Sequence, residues 1–222
     1  MQFGGIILCG GKSSRMGLPK ATLPFGPELM LPRVARLLRE VVVPVVVVAA
    51  PEQELPLLPD EIQIVRDRRE GRGPLEGLLA GMSALAGQAD AAYATSCDVP
   101  LLVPAFVQRV VERLQGHEIA VPRIEGYHHP LAAAYRISLL PKIEALLAAD
   151  RLRPFYLFEQ CNTLELAATD FADVDPRGES LLNLNHPADY LAALEQAGFG
   201  VPAEIAALID AGEAKPPSRS QG

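Results

Sequence analysis

The sequence predicts one α/β domain, a Rossmann-like three-layer sandwich with a mostly parallel central sheet. Short apolar runs alternate with helical patterns along most of the chain, and this alternation is typical of βαβ units. The chain has 222 residues, a length that fits one domain with a single core. Its 49% hydrophobic and 21% charged residues are the balance of a globular protein and not of a disordered one.

The first elements are predicted from the spacing of apolar residues. An apolar run at residues 6–8 indicates a strand that enters a glycine-rich loop. Residues 31–40 indicate a helix, because their apolar members recur at helical spacing with arginines between them. The valines at 45–48 indicate a strand buried on both faces. Pro44 marks the boundary before this strand, since proline cannot continue a helix.

The rest of the chain continues the same alternation. Further strands are predicted at residues 62–65, 91–95, 119–121, 131–135 and 163–166. Further helices are predicted at residues 75–85, 104–114, 139–148, 187–195 and 203–211. The domain is expected to span residues 1–212, and the polar tail at 213–222, which is rich in Pro and Ser, is expected to be disordered.

Charge and cysteine content exclude several classes of protein. The net charge of -7 provides no basic field for a polyphosphate backbone, so nucleic acid is not expected as a partner. The N-terminus does not resemble a signal peptide, and the longest apolar stretch, residues 41–50, is too short to span a bilayer. We therefore expect no membrane segment. Cys9, Cys97 and Cys161 are odd in number and widely spaced, which favours a reduced, cytoplasmic chain.

A glycine-rich loop follows the first strand. Gly10 and Gly11 allow the backbone to approach a ligand and to turn N–H groups toward phosphate oxygens. Arg15 and Lys20 add positive charge that the acidic chain otherwise lacks. The spacing fits neither the Walker A pattern nor the dinucleotide-binding G-x-G-x-x-G pattern. On spacing alone, the loop is either a phosphate-binding site or a tight turn with incidental basic residues.

An aspartate, Asp98, follows the strand predicted at residues 91–95. Ligands of open α/β sheets bind outside the carboxyl ends of the strands, so Asp98 is expected at a position where it can contact a ligand. Mg²⁺ is usually held by one or two carboxylates plus substrate phosphates, which makes Asp98 the candidate metal ligand. The alternative is a turn or capping residue ahead of the next helix.

Two further segments carry polar patterns. A charged, glycine-containing loop that includes Asp67 leads to Gly73 and Gly77 at the start of a helix, and the alternative there is an ordinary exposed connection. Asn183 and Asn185 lie two residues apart, so in an extended segment both side chains point the same way. An Asx turn before the following helix, whose first turn contains Pro187, is the alternative and by itself a good explanation of these asparagines.

Two histidines and a cysteine near these motifs are interpreted as packing residues. His128 and His129 have no cysteine or further histidine at metal-ligand spacing. Cys9 lies at the entry to the glycine-rich loop and is interpreted as a small packing residue rather than a nucleophile.

Residues 8–20, with the sequence LCGGKSSRMGLPK, resemble the signature of the MobA-like nucleotidyltransferases, which make sugar nucleotides and molybdenum cofactor dinucleotides. The resemblance covers about residues 4–194 and implies a fold of the nucleotide-diphospho-sugar transferase type. It implies that the loop wraps a nucleoside triphosphate, and that Arg15 and Lys20 stabilise charge on the leaving pyrophosphate. The residues implied in nucleotide contact are Leu8, Cys9, Gly10, Gly11 and Lys20.

The same resemblance implies roles for the later motifs. Asp98, in the family's Asp-x-Pro pattern, is implied to bind Mg²⁺ and to act in catalysis with Arg15 and Lys20. The G-P-L-x-G string is similar to the guanylyltransferase branch, where it and a preceding aspartate line the base and ribose site. The residues implied there are Asp67, Gly73 and Gly77. The N-x-N-x-P pattern and a preceding basic residue are associated with the pterin substrate, which implies Asn183, Asn185 and Arg153.

Together these resemblances imply an enzyme that transfers GMP from GTP to a molybdenum-loaded pterin and releases pyrophosphate. They imply Mg²⁺ as cofactor and transient contacts with pterin-supplying proteins or molybdoenzymes. Three alternatives are CMP transfer from CTP to the same pterin, a non-catalytic nucleotide-binding adaptor of the same fold, and a sugar-phosphate nucleotidyltransferase. The sequence departs from the guanylyltransferase pattern at residues 48–52, where an Asn-x-Asn or Asn-Arg is common.

Overall fold

The computed structural model describes residues 1–9, 19–67, 72–203 and 205–206, and these ranges contain ten strands and six helices. The strands are β1 (Phe3–Leu8), β2 (Pro24–Phe25), β3 (Glu28–Leu29), β4 (Val45–Ala49), β5 (Ile62–Arg66), β6 (Ala91–Ser96), β7 (Ile119–Ile124), β8 (Tyr127–His128), β9 (Ala133–Arg136) and β10 (Thr163–Leu166). The helices are α1 (Met30–Arg39), α2 (Pro74–Leu85), α3 (Pro104–Arg113), α4 (Leu140–Ala148), α5 (Phe155–Phe158) and α6 (Pro187–Gln196).

Eight of these strands form one sheet. Seven run in the order β10-β7-β9-β6-β1-β4-β5, and β8 pairs with β7 beside this path. Every pairing along the path is parallel except the two made by β9, which is antiparallel to both β6 and β7. The mostly parallel sheet predicted from the sequence is confirmed. Because β6, β1 and β4 are parallel neighbours, their carboxyl ends lie at the same edge of the sheet, where ligands of this class of fold bind.

Helices cover both faces of the sheet and make the three layers that the sequence predicts. One apolar cluster contains Ile7 of β1 with α1 and α3, and another contains Ile6 of β1 with α2 and α4. Alternate residues of a strand point to opposite faces, so the two clusters lie on opposite sides of the sheet. All residues of β4 and β6 are buried, as expected for strands that are covered on both faces.

A smaller third cluster joins the β2–β3 hairpin to α6. Phe25 and Met30 pack there against Tyr190 and Leu194 of the helix. The Tyr190 hydroxyl donates a hydrogen bond to the carbonyl of Pro24. This cluster fixes α6, and with it the segment that precedes the helix, beside the part of the chain that follows the glycine-rich loop.

Most of the predicted elements are confirmed, with ends that differ slightly from those expected. The extended run predicted at residues 131–135 corresponds to β9. The sequence did not predict β2, β3, β8 or α5, because each has only two to four residues and no periodicity. The predicted tail at 213–222, the domain end at 212 and most of the helix predicted at 203–211 lie outside the described residues. None of the described helices combines the length and hydropathy needed to cross a bilayer.

Glycines bring α2 close to β1. A Cβ atom at Gly81 would lie 2.6 Å from Ile6 Cγ2, and one at Gly77 would lie 3.0 Å from Leu8 Cδ2. Both neighbouring side chains are buried, so they have little space into which to move. The helix therefore packs directly against the strand that leads into the glycine-rich loop.

We predict that Gly81→Ala destabilises the protein. Alanine gains about 1 kcal/mol of helix propensity over glycine, but overpacking a filled core costs about 1 to 3 kcal/mol. We expect the free energy of unfolding, measured by urea denaturation, to fall by about 1 kcal/mol. The control is Ser83→Ala, an exposed position of the same helix, which should cause no loss. Increased stability of Gly81→Ala would contradict the close packing of α2 on β1.

Candidate active site

The candidate site lies where β1, β4 and β6 end. Pairing continues one residue beyond the strands: the Cys9 N–H donates to the Val48 carbonyl at 2.8 Å, and the Cys97 N–H donates to the Leu8 carbonyl at 3.1 Å. Leu8 and Cys9 are buried at this edge. The start of the glycine-rich loop and the residue that precedes Asp98 therefore lie side by side.

Three predicted site residues, Gly10, Gly11 and Arg15, lie outside the described residues. Their contacts with a triphosphate and a pyrophosphate stay predictions. Lys20, the last residue of the motif, is described, and it begins a single 3-10 turn, Lys20–Thr22.

Asp98 is held at the end of β6 by both of its carboxylate oxygens. Its Oδ1 accepts a hydrogen bond from the Ser96 hydroxyl, and its Oδ2 lies 2.6 Å from Lys20 Nζ. Only 8% of the residue is exposed, and burial of a carboxylate is costly unless it is paired and hydrogen-bonded, as it is here. The Asp98 carbonyl also accepts from the Leu184 N–H at 3.0 Å, which ties this strand end to the segment before α6.

Lys20 connects the aspartate to the predicted asparagine pair. Its Nζ donates to Asn185 Oδ1 at 2.9 Å as well as contacting Asp98. Lys20 and Asp98 are 78 positions apart in the chain, and Lys20 and Asn185 are 165 apart. The structure thus brings together one residue from each of three motifs that the sequence analysis assigned separately.

The asparagine segment has the alternation that the sequence predicts. Asn183 and Asn185 are exposed, and Leu184 between them is buried. The backbone N–H groups of Asn185 and His186 donate to the Asp189 carboxylate, at 3.0 and 2.8 Å, so Asp189 caps the start of α6. The helix start is therefore capped by Asp189 rather than by an Asx turn of the asparagines, and both asparagines lie on the exposed side of the alternation. Their contact with a pterin stays a prediction.

A second part of the site lies at the end of β5. The Asp67 N–H donates to the Ala49 carbonyl at 2.8 Å, which places Asp67 next to the end of β4. Its Oδ1 atom is buried, and no donor in the described ranges reaches it. Buried acceptors are normally hydrogen-bonded, so this oxygen has the environment expected of an atom that contacts a ligand.

The glycines of the G-P-L-E-G string have different surroundings. Gly73 is exposed at the N-cap of α2 with φ 78°, a conformation that favours glycine. Gly77 is buried under Leu8, which gives it a packing reason that the sequence analysis did not include. Arg153, the basic residue predicted to bind the pterin, is exposed just before α5.

Sequence reasoning missed Ser96 and Gln53. Ser96 is the last residue of β6, and Asp98 lies two residues later in the turn that follows the strand, so the short separation of the two residues in the sequence was the available signal. Gln53 donates from Nε2 to the Cys9 carbonyl at 3.1 Å. Nothing in the local pattern of the sequence indicates this contact, because the two residues come from different strand ends.

The packing interpretation of the cysteine and histidines agrees with their surroundings. Cys9 and Cys97 are buried, and the hydrogen bond to Cys97 and burial raise the pKa of the Cys9 thiol well above its usual value. His128 Nε2 lies 2.7 Å from Glu165 Oε1. Burial, with a smaller effect of His128, lowers the pKa of His129, so this side chain is neutral near pH 7.

The described residues suit a hard divalent cation that takes part of its coordination from a substrate. Within them no group of three or more His, Cys, Asp or Glu side chains is arranged to hold a metal ion. One carboxylate plus phosphate oxygens and water is the usual environment of Mg²⁺. Asp98 Oδ2 already contacts the Lys20 ammonium, so a cation at this carboxylate would have to share it with Lys20 or displace the ammonium.

Comparison with known proteins identifies close similarity over most of the chain. A family model described as the MobA-like NTP transferase domain matches residues 5–163. A protein from Pelotomaculum thermopropionicum named "Probable molybdenum cofactor guanylyltransferase" is 34% identical over 197 residues, which cover 87% of this chain and 92% of the relative. One with the same name from Mycobacterium avium is 36% identical over 203 residues, which cover 89% and 97%.

Solved structures show the same fold. Molybdopterin-guanine dinucleotide biosynthesis protein A from Archaeoglobus fulgidus superposes with a TM-score of 0.72 at 19% identity, over 88% of this chain and 98% of that one. A cytidylyltransferase from Leptospira borgpetersenii superposes with a TM-score of 0.65 at 18% identity, over 96% of each chain.

We predict that Cys9 and Cys97 are unreactive in the folded protein. Both are buried, whereas Cys161 is partly exposed, and burial raises the pKa of the Cys161 thiol. Titration with a chromogenic disulfide at pH 8 should detect only Cys161 in the native protein, at a slower rate than free cysteine, and all three thiols after unfolding. The Cys161→Ser variant, as control, should show no rapid reaction. Modification of native Cys9 in that variant would contradict its role as a packing residue.

Proposed function

Because this chain belongs to the MobA-like NTP transferase family, we propose that it transfers GMP from GTP to a molybdenum-bound pterin and releases pyrophosphate. The family makes the chain a nucleotidyltransferase, and the names of its relatives make it similar to molybdenum cofactor guanylyltransferases. The choice of nucleotide, the metal ion and the roles of individual residues are our proposal.

The observation that carries the proposal is the contact of Lys20 with Asp98 and Asn185. In the proposed reaction the triphosphate, the metal ion and the pterin must meet at one point. Lys20 is the residue assigned to the triphosphate, Asp98 to the metal ion and Asn185 to the pterin. Their direct contact supports a single reaction centre at the ends of β1 and β6.

Asp98 would hold Mg²⁺ together with phosphate oxygens of the nucleotide. When bound, the ion neutralises phosphate charge and orients the phosphates for displacement. Ser96 donates to the other carboxylate oxygen and so orients Asp98 for this task. Hydrogen-bonding partners of metal ligands commonly contribute ten- to hundredfold to affinity or activity, which is the size of effect we assign to Ser96.

The side chains of the site mainly position groups and balance charge. A phosphate oxygen of the pterin attacks the α-phosphorus of GTP, and the bond from that phosphorus to pyrophosphate breaks. The attacking oxygen is already anionic, so no side chain has to remove a proton. Lys20, with Arg15 from the glycine-rich loop, would stabilise the negative charge that develops on pyrophosphate.

Asp67 is the residue that we assign to recognition of guanine. A carboxylate can accept hydrogen bonds from guanine N1–H and N2–H together. The buried Asp67 Oδ1, which no donor in the described ranges reaches, would gain a donor when the base binds. Cytosine offers one donor group, its N4 amino group, next to the acceptor N3, so a contact through both carboxylate oxygens would favour guanine.

Two alternatives differ in chemistry. CMP transfer from CTP is the nearer one, since a cytidylyltransferase shares the fold. A non-catalytic adaptor would not need Lys20 and Asp98 in contact at the carboxyl ends of the strands. Their contact therefore favours an enzyme over an adaptor. Sugar-phosphate nucleotidyl transfer is weaker, because relatives that are 34% and 36% identical carry the molybdenum cofactor name.

An assay with purified components tests the proposed reaction. We expect pyrophosphate release and dinucleotide formation when the protein is mixed with Mg²⁺, molybdenum-loaded pterin and GTP, and no product when CTP replaces GTP. Turnover with CTP alone would contradict guanylyl transfer. Turnover with neither nucleotide would favour the adaptor.

Asp98→Ala provides the negative control for this assay. We expect it to abolish Mg²⁺-dependent turnover, because the carboxylate that would hold the ion is lost. The fold should persist by circular dichroism. Turnover equal to that of the unaltered protein would refute Asp98 as the metal ligand.

Asp67→Asn tests the base assignment. The new amide places an NH₂ group where guanine also has donors, so we expect kcat/KM for GTP to fall about ten- to hundredfold, the effect of one lost charged hydrogen bond. Preference for GTP over ITP, which lacks the N2 amino group, should largely disappear. Asp60→Asn, at an exposed aspartate on the loop before β5, is the matched control. An unchanged ratio of GTP to ITP turnover would refute this role.

A further inference from the structure

The pairing of β1 with β4 ends in an unusual way beside the candidate site. The last backbone bond between them runs from the Cys9 N–H to the Val48 carbonyl at 2.8 Å. In a regular parallel ladder, a residue that donates to one position accepts from the residue two positions further along the partner strand. The next bond of a regular ladder would therefore join the Ala50 N–H to the Cys9 carbonyl.

The side-chain amide of Gln53 occupies this position. The Ala50 N–H donates to Gln53 Oε1 at 3.2 Å, and Gln53 Nε2 donates to the Cys9 carbonyl at 3.1 Å. Both backbone groups are thus satisfied through an inserted amide group. The ends of β1 and β4 are consequently further apart than a direct hydrogen bond would allow.

The backbone around Gln53 is fixed by its own contacts. The Gln53 N–H donates to the Ala50 carbonyl at 3.2 Å, which closes a turn after β4. Arg66 Nη1 donates to the carbonyls of both Ala50 and Gln53, at 2.9 and 2.7 Å. Because the turn is held from β5, the amide enters the gap from a defined position.

The Gln53 side-chain amide lies between Cys9 and Asp67, two residues that we assign to nucleotide binding. The carbonyl that it contacts belongs to Cys9, directly before Gly10 and the glycine-rich loop. On the other side of β4, Ala49 accepts from the Asp67 N–H, and Asp67 carries the buried oxygen that no donor in the described ranges reaches. The separation of β1 from β4 therefore sets where the loop begins relative to Asp67.

We propose that Gln53 is a positioning residue for the nucleotide, which holds the ends of β1 and β4 apart so that Cys9 and Asp67 lie at the separation that one nucleotide requires. This inference rests on the proposed function, since it assumes that a nucleoside triphosphate binds at this edge. We expect the fold to tolerate loss of the side chain, because the Ala50 N–H and the Cys9 carbonyl would then be free to bond each other as in a regular ladder. Loss of the amide is therefore expected to affect nucleotide binding far more than stability.

The test compares Gln53→Leu and Gln53→Glu with the full, unaltered chain. Leucine removes both hydrogen bonds, whereas glutamate retains an acceptor for the Ala50 N–H but cannot donate to the Cys9 carbonyl. We expect the dissociation constant for a fluorescent N-methylanthraniloyl GTP, and KM for GTP, to rise on the order of tenfold or more in both variants. We expect kcat to stay within about threefold, and the melting temperature to change little.

Gln63→Leu, at an exposed position of β5, is the matched control and should alter none of these values. A Gln53→Leu protein with the dissociation constant of this control would overturn the positioning role while leaving the proposed function intact. A fall in kcat and melting temperature with unchanged affinity would likewise overturn it, since this is the result of a merely structural role. Failure of the unaltered chain to bind the GTP analogue would overturn the proposed function and this inference together.

Discussion

The ion pair between Lys20 and Asp98 is the interaction on which the arrangement of the candidate site depends. A carboxylate on a residue that is only 8% exposed is costly unless it is paired and hydrogen-bonded. Lys20 satisfies one oxygen and Ser96 the other. Since Lys20 also donates to Asn185, the same pair fixes the segment before α6. The hairpin cluster around Tyr190 supports this arrangement by packing α6 against the chain that follows Lys20.

The sequence predicted most of the sheet, and its failures have physical causes. The valines of β4 predicted a strand covered on both faces because such a strand has no polar side. The direction of β9 was not predictable, since apolar runs indicate a strand but not its orientation, and β9 is antiparallel to both neighbours. The two-residue strands β2, β3 and β8 belong to tight local hairpins, β2 with β3 and β8 with the end of β7, and two residues are too few to leave a periodic pattern.

In the predicted site, too, residues that belong to short motifs could be found from the sequence, whereas contacts between distant residues could not. Asp98, Lys20 and Asn185 could be selected because each belongs to a short motif, and the structure brings them together. The contact of Gln53 with Cys9 could not be predicted, because it joins two strand ends across 44 positions. Gly77 was predicted from its motif as a nucleotide contact, and the structure adds that its lack of a side chain lets α2 pack on Leu8.

The two aspartates of the proposed site, Asp67 and Asp98, differ in whether their carboxylate oxygens already have hydrogen-bonding partners. This difference affects how substrates would bind. Asp67 has a buried oxygen that no donor in the described ranges reaches, so a base with N–H groups adds a hydrogen bond without displacing one. Asp98 is already satisfied by Lys20. A cation at Asp98 must compete with the Lys20 ammonium, and a triphosphate that attracts Lys20 removes this competitor. Because each ligand favours a position of Lys20 that suits the other, the proposed nucleotide and metal ion would bind with positive coupling.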